Sequence, residues 1–219
     1  MTQRRPVASA RQLPVSQPTR KRWALLFLLL ASIAVIALYI TLRGRSSASA
    51  SNSHLSNVFT PEVQHWSPLI YAWATAYNVD PNLIATVIQI ESCGDPNVVS
   101  GSGAQGLFQV MPFHFKPGED TLDVLTNGGR GMEYLATGLQ KAAGDITLAL
   151  AGYNGGHGVI NMNPARWPRE TQRYSQWGTG IYADATQGLA SSPTLTAWLQ
   201  AGGARLCKSA SMSQWVARG

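Results

Sequence analysis

Residues 80–112 read DPNLIATVIQIESCGDPNVVSGSGAQGLFQVMP. Asp80-Pro81 is a helix start: a side-chain acceptor for orphan amide N–H groups, then a residue whose φ is preset for the first turn. Ile84, Val87 and Ile88 recur at helical spacing, and Gly94 and Pro96 end the helix near Ser92. Glu91 lies seven, four and three positions after those apolar residues, so it shares their face. A carboxylate on a buried face loses its water, which raises its pKa. The last helical turn, at the negative end of the macrodipole, pushes the same way. A carboxyl group that keeps its proton near neutral pH is what general-acid catalysis needs. A salt bridge to a distant Arg, or a side chain swung into solvent at a frayed helix end, is the other reading of the same spacing.

The pattern on either side is helical as well. Thr60-Pro61-Glu62 opens a helix carrying Val63, Trp66, Ile70, Trp73 and Tyr77, with a kink expected at Pro68. Trp66 and Trp73, at helical spacing, are expected in the core rather than stacked on a ligand. Met132, Leu135 and Leu139 mark a third helix, and Asp145 caps a fourth that runs through Leu148 and Leu150. Tyr174, Trp177 and Ile181 mark a fifth, and Ser192-Pro193 starts a sixth with Leu195, Trp198 and Leu199. A Gly-rich loop occupies 100–106, no alternating strand run appears, and there is no internal repeat.

The 80–112 stretch, with two later segments, resembles the Slt-type lytic transglycosylases on the goose-lysozyme-like fold. That family carries a helix ending in Glu-Ser, a Ser-containing loop and a Gly-Leu-Met-Gln-x-Met-Pro segment. Here these are Glu91-Ser92, Ser100 and Gly106-Leu107-Phe108-Gln109-Val110-Met111-Pro112. LALAGYNGG (148–156) is similar to the family's Ala-Tyr-Asn-x-Gly segment, and Glu170-Thr171 with Tyr174 to its Glu-Thr-x-x-Tyr element. The elements follow in family order over residues 80–174. Phe108 stands for the usual Met, Gly152 for Ala before Tyr-Asn, and Ser175 for a common apolar residue; none of these removes a reactive group.

The resemblance implies a mainly α, lysozyme-like (goose-type/Slt) catalytic domain. It implies cleavage of the MurNAc-β-1,4-GlcNAc bond of peptidoglycan, with formation of 1,6-anhydroMurNAc. Glycosidases generally use two carboxyl groups; the family manages with one, which is Glu91 here as acid and then base. Ser100, Gln109 and Met111 would line sugar subsites. Tyr153 would sit near Glu91 and orient substrate, and Asn154 would fix the loop backbone. Glu170 would be a cleft residue contacting substrate or supporting Tyr153. Plainer roles stay open: turn or capping groups for Gln109 and Asn154, core filler for Met111, a helix-start acid for Glu170. A lysozyme-like hydrolase using Asp95, Asp120 or Glu170 to activate water is an alternative, as is a non-catalytic wall-binding or assembly module. An intact Glu91 counts against the last.

Charge and hydropathy place this domain. The chain of 219 residues has 17 Lys+Arg against 11 Asp+Glu, net +6, which taken whole points to nucleic acid or a membrane surface. Eight of the basic residues and none of the acidic ones lie in residues 1–53. Residues 54–219 therefore hold nine basic and eleven acidic residues, so no nucleic-acid partner is expected. With 45% hydrophobic and 13% charged residues the chain is not disordered overall. Trp23–Leu42 is a run of 20 residues without a charge, Gly or Pro. At ~1.5 Å per residue it would span the ~30 Å core of a bilayer. Six basic residues precede it, so residues 1–22 are expected in the cytoplasm and the rest outside. The expected order is a basic tail (1–22), a single transmembrane helix (23–42), a Ser-rich linker (43–59) and the domain (60–219). Secretion after cleavage near Ala50 is the alternative to this cytoplasmic-membrane anchor. In an exported domain, Cys93 and Cys207 are expected to form one disulfide.

No cofactor is expected. Gly101-x-Gly103-x-x-Gly106 matches a dinucleotide-binding pattern, but no strand precedes it and Pro112 prevents a long helix after it. His54, His65, His114 and His157 lack metal-site spacing, and two cysteines cannot alone hold a structural zinc, so no metal is expected.

Overall fold

The computed structural model describes residues 55–216. The expected tail, transmembrane helix and cleavage site, and the linker up to residue 54, lie outside the described residues. Among the described residues no helix is long and apolar enough to cross a membrane. The architecture of the described residues is helical, with two isolated β-bridges among them in place of strands.

The first helical segment differs from expectation. Thr60 precedes α1 (Pro61–Gln64) but makes no side-chain cap bond. The chain then breaks at His65–Trp66, and α2 (Ser67–Tyr77) starts afresh. Pro68 is the reason: it lacks the N–H that would bond the Gln64 carbonyl, and its ring would clash with that carbonyl. The Ser67 hydroxyl takes the carbonyl instead, at 2.5 Å. Pro68 thus divides two helices rather than kinking one. Asn78, at φ +52°, closes α2 in the left-handed conformation.

Helix α3 (Pro81–Glu91) is the centre of the fold. Asp80 Oδ1 accepts from the Asn82 amide at 2.7 Å, a cap that contributes about 1 kcal/mol. Leu83 to Gln89 are all buried, so the helix is enclosed on every side except its last turn. It cannot continue past Ser92. Cys93 and Gly94 turn left-handed (φ +50° and +85°), and a Cβ on Gly94 would stand 2.6 Å from the Glu62 carbonyl oxygen.

The loop after α3 is short-braced. Gln105 and Val110 exchange backbone bonds of 3.0 and 2.9 Å, Gly106 N donates to Val98 O at 2.9 Å, and Ser92 Oγ donates to Leu107 O at 2.7 Å. It is pinned to α4 (Val124–Lys141) by fully buried Asn127. That side chain accepts from Phe108 N at 2.9 Å and donates to the Gln105 and Thr121 carbonyls at 2.8 and 2.9 Å. Phe108 meets Trp73 edge-on at 5.2 Å against α4. The bulk of Phe108 fits because Gly131 faces it: a Cβ there would lie 2.5 Å from the ring.

Asp145 caps α5 (Ile146–Gly155) through the Leu148 amide at 2.9 Å, as expected. Helix α6 (Arg169–Thr186) packs against α5 and α3. The two sequence departures there have local reasons. An alanine at Gly152 would bring its Cβ within 2.7 Å of Ile160, and buried Ser175 donates to Thr147 O at 3.1 Å. Ser192 caps α7 (Pro193–Trp198). A kink at Gly202 (φ +132°) then leads into α8 (Ala204–Val216), which sequence periodicity did not mark.

Helix α8 returns to the centre. Cys207 is bonded to Cys93, two residues beyond Glu91, over a separation of 114 residues. Closing a loop that long contributes on the order of 4 kcal/mol by restricting the unfolded chain. The proposed linker also needs correction. Leu55, Val58 and Phe59 are 1%, 8% and 3% exposed and sit in the main core, so ordered structure starts before residue 60. Three apolar side chains within five residues outweigh the polar composition around them.

Candidate active site

Glu91 is the last residue of α3, where the enclosed helix meets open space. Its side chain is half-buried overall, but its carboxyl group is surrounded by protein at the floor of a cleft. Burial pushes the pKa up to about 8; the Tyr174 hydroxyl pulls it down, and the negative charge of Glu170 pushes it up. The helix C-terminus adds to the upward push. Among the described residues no salt bridge reaches Glu91; the ion pairs there join Arg130 to Glu119 and Glu133. The two alternatives left open for this residue, an Arg partner or a solvent-facing carboxyl, are not what the fold builds.

A cavity of about 390 Å³ lies over this carboxyl. Ser100, Gln109, Met111, Tyr153, Asn154 and Glu170 all line it, brought together from the loop, α5 and the first turn of α6. Their bonding differs. Ser100 Oγ accepts from Ala104 N at 2.9 Å and pairs with Ser102 Oγ at 3.0 Å. Gln109, in the left-handed region at φ +48°, spends both amide hydrogens on the Val98 and Gly106 carbonyls, each at 3.0 Å. It is therefore a brace of the cleft wall as well as part of its lining. Tyr153 Oη donates to Phe108 O at 2.9 Å, and burial with the nearby Glu91 charge raises its pKa. Asn154 does not fix the loop backbone as expected: its Oδ1 accepts from Thr171 Oγ1 at 2.9 Å, joining α5 to α6. Glu170 is exposed and acts on Glu91 through its charge.

Ser102 in the cleft wall and Tyr174 behind it had no assigned site role from sequence. Ser102 lies beside Ser100 in the wall. Tyr174 is buried against Glu91, and its hydroxyl has no hydrogen-bond partner in full geometry. It nevertheless stands close enough to the carboxyl for each group to shift the other's acidity. The signal for it was present, since Tyr174 follows Glu170 by one helical turn and so shares its face. Asp95 and Asp120, candidates for activating water, are elsewhere: Asp95 is buried and bonds Asn97 N, and Asp120 bonds the Leu122 and Asp123 amides.

Residues 68–176, which hold this whole constellation, match the family model described as Transglycosylase SLT domain. They form a domain of that family. Over 111 residues the chain is 38% identical to the "Transglycosylase" of Enterobacteria phage PRD1, an alignment spanning 50% of this chain and 40% of that protein. It is 39% identical over 72 residues to the "Endo-type membrane-bound lytic murein transglycosylase A" of Klebsiella pneumoniae (strain 342), spanning 31% of this chain and 36% of that one. The chain thus spans less than half the length of these curated relatives. A solved structure of an inactive mutant of lytic transglycosylase Slt from Pseudomonas aeruginosa superposes with a TM-score of 0.47 at 21% identity, over 59% of this chain and 25% of that one. The matched span ends at residue 176, inside α6, so the disulfide-bound return of α8 lies outside it.

Proposed function

We propose that this chain is a peptidoglycan lytic transglycosylase that cuts the MurNAc-β-1,4-GlcNAc bond and leaves a 1,6-anhydroMurNAc end. The observation that carries the proposal is the Glu91 carboxyl, held protonated up to about pH 8 at the floor of an open cleft. Glu91 gives its proton to the glycosidic oxygen as that bond to the anomeric carbon breaks. The muramic acid 6-hydroxyl of the same sugar attacks the anomeric carbon, and Glu91, now a base, takes the hydroxyl proton. No water is consumed, and the nucleophile's tether supplies the proximity. The Tyr174 hydroxyl favours the ionised carboxyl between the two transfers. Tyr153, held by the Phe108 carbonyl, gives the cleft a fixed wall against which the sugar is oriented.

One observation favours a second reading. Glu170 shares the cleft with Glu91, and two carboxyl groups in one cleft suit a hydrolase that activates water. Digestion of purified peptidoglycan with the full chain, followed by weighing the muropeptides, separates the two. Ends lighter by one water are expected; hydrated reducing ends would overturn transglycosylation in favour of hydrolysis. The charge-free run 23–42, preceded by six basic residues, supports an anchor in the cytoplasmic membrane with the domain outside. The membrane-bound description of the Klebsiella relative agrees with it. Fractionation of cells expressing the chain, with protease added from outside, tests that topology.

A further inference from the structure

The segment that leads into α6 carries a charge pattern the rest of the domain does not. Residues 54–219 hold more acids than bases, yet between Asp145 and Asp184 the only acid is Glu170, while Arg166, Arg169 and Arg173 crowd into the stretch 166–173. All three arginines are exposed. Among the described residues the ion pairs belong to Arg130, so none of these three guanidinium groups has a carboxylate partner there. Arg169 and Arg173 are one turn apart on α6 and share a face. Arg169 stands between Pro168 and Glu170, which both line the cavity over Glu91. The arginine face is thus about 100° round the helix from the residue at the cleft lip. The ground beneath it is fixed. Asn163 Oδ1 accepts from Ala165 N at 3.0 Å and holds the turn that carries Arg166. Trp167 is buried and donates through Nε1 to the Val159 carbonyl at 2.9 Å, and Gln172 donates back to the Trp167 carbonyl at 2.9 Å.

We propose that these arginines form a strip that grips the carboxylates of the stem peptides borne by glycan strands, so that the chain favours strands whose stems are free acids. The inference rests on the glycan-cleaving reading and extends it from the sugar chain to the peptide side arm. Three observations support it. The strip begins at the lip of the Glu91 cleft, so a side arm leaving a sugar held there over Pro168 and Glu170 meets Arg169 next. Its charges are uncompensated in a domain that is otherwise short of cations, and a planar guanidinium takes a carboxylate through two parallel bonds. Its spacing also fits. Arg169 and Arg173 are about 6 Å apart along the helix axis, and side chains two residues apart on an extended peptide are separated by about 7 Å on one side. Successive acidic groups of one stem can therefore meet successive arginines. Glu170, toward the cleft side of the same helix, repels a carboxylate that turns inward and so directs the stem to the arginine side.

The test is affinity against the state of the stem. The full chain with Glu91→Gln, in detergent, is titrated with three preparations of murein strands of equal length: stems intact, stem carboxylates amidated, and stems removed. Intact stems are expected to bind several-fold tighter than the other two, with the advantage shrinking as salt rises. Arg169→Gln together with Arg173→Gln should remove that advantage and leave the binding of peptide-free strands unchanged. Arg169→Lys with Arg173→Lys should keep part of it. Equal binding of the three preparations, an advantage that survives when Arg166→Gln is added to the glutamine pair, or an equal loss on peptide-free strands would overturn the strip. Equal binding of the three with arginine-dependent affinity for micelles containing phosphatidylglycerol would give the strip to the membrane instead. Thermal midpoints near that of Glu91→Gln show that the variants are folded. If the unmutated chain cleaves nothing while the arginine-dependent preference holds, the catalytic reading fails and the strip stands. If it cleaves intact and peptide-free strands alike, and binds them alike, the strip fails and the catalytic reading stands.

Discussion

The chain treats glutamate in opposite ways in two places. At the end of α3, Glu91 is enclosed, near another acid, and held at a pKa of about 8. On the outer side of α4, Glu119 is partly exposed, meets Arg130 through two bonds and the Lys116 amide at 2.8 Å, and its pKa falls to about 2. The side-chain chemistry is the same, so the difference is environment alone. Removing water without offering a cation makes an acid catalyst; keeping water and adding a guanidinium makes a permanent anion.

The largest expected effect is on Glu91 itself. Glu91→Gln should lower peptidoglycan cleavage by ~10³-fold or more with the fold intact, read as muropeptide release and circular dichroism. Glu119→Gln should leave cleavage running. Loss of activity in the second variant alone would reverse the contrast. Next comes pH. The acid must be protonated, so kcat/KM should fall about tenfold per pH unit above the Glu91 pKa of about 8. Tyr174→Phe removes a contact that lowers this pKa, so the falling limb should move to higher pH while kcat drops.

Stability should follow with the matching sign. The folded pKa is raised above the ordinary carboxyl value of 4.5, so the native state holds the extra proton and is weakened as pH rises from 4.5 to 8. Glu91→Gln should therefore match the parent at and below pH 4.5 and become progressively more stable than it as pH rises toward 8, measured by denaturant unfolding. For Glu119 the sign is opposite: its contribution is present above the usual carboxylate range and is lost only as pH falls toward 2. Replacing both Cys93 and Cys207 by Ala should cost about 2–4 kcal/mol. Because Cys93 follows Glu91 by two residues, cleavage should weaken along with stability. The smallest change is expected from Glu119→Gln, whose thermal midpoint near neutral pH should fall only slightly, because Arg130 keeps its bond to Glu133.

Much of this is local enough to be read from the chain. Asp80-Pro81, Asp145 and Ser192-Pro193 mark helix starts because a cap needs only its own next few amides. The spacing of Ile84, Val87, Ile88 and Glu91 puts an acid on an apolar face because a helix has a fixed period. The sequence motifs also selected six residues that do line one cleft with Glu91. Residues 55–59 and helix α8 escaped notice because their few apolar side chains show no usable period, and burial there depends on partners far along the chain. Asn127 escaped for the same reason, as did the partner of Asn154: an amide's partners in a distant loop or helix leave no trace in its neighbours.

What the linear order of residues determined by itself is therefore the helical periods, their caps and breaks, and the placement of one carboxyl group on a greasy face. Only the packed molecule decided how hard that group holds its proton, because desolvation and the fields of Tyr174 and Glu170 act through space. It also decided that the helix face carrying Arg169 and Arg173 begins at the lip of the same cleft. Contacts between side chains from separate helices arise from close packing of the whole core, and no short-range pattern encodes them.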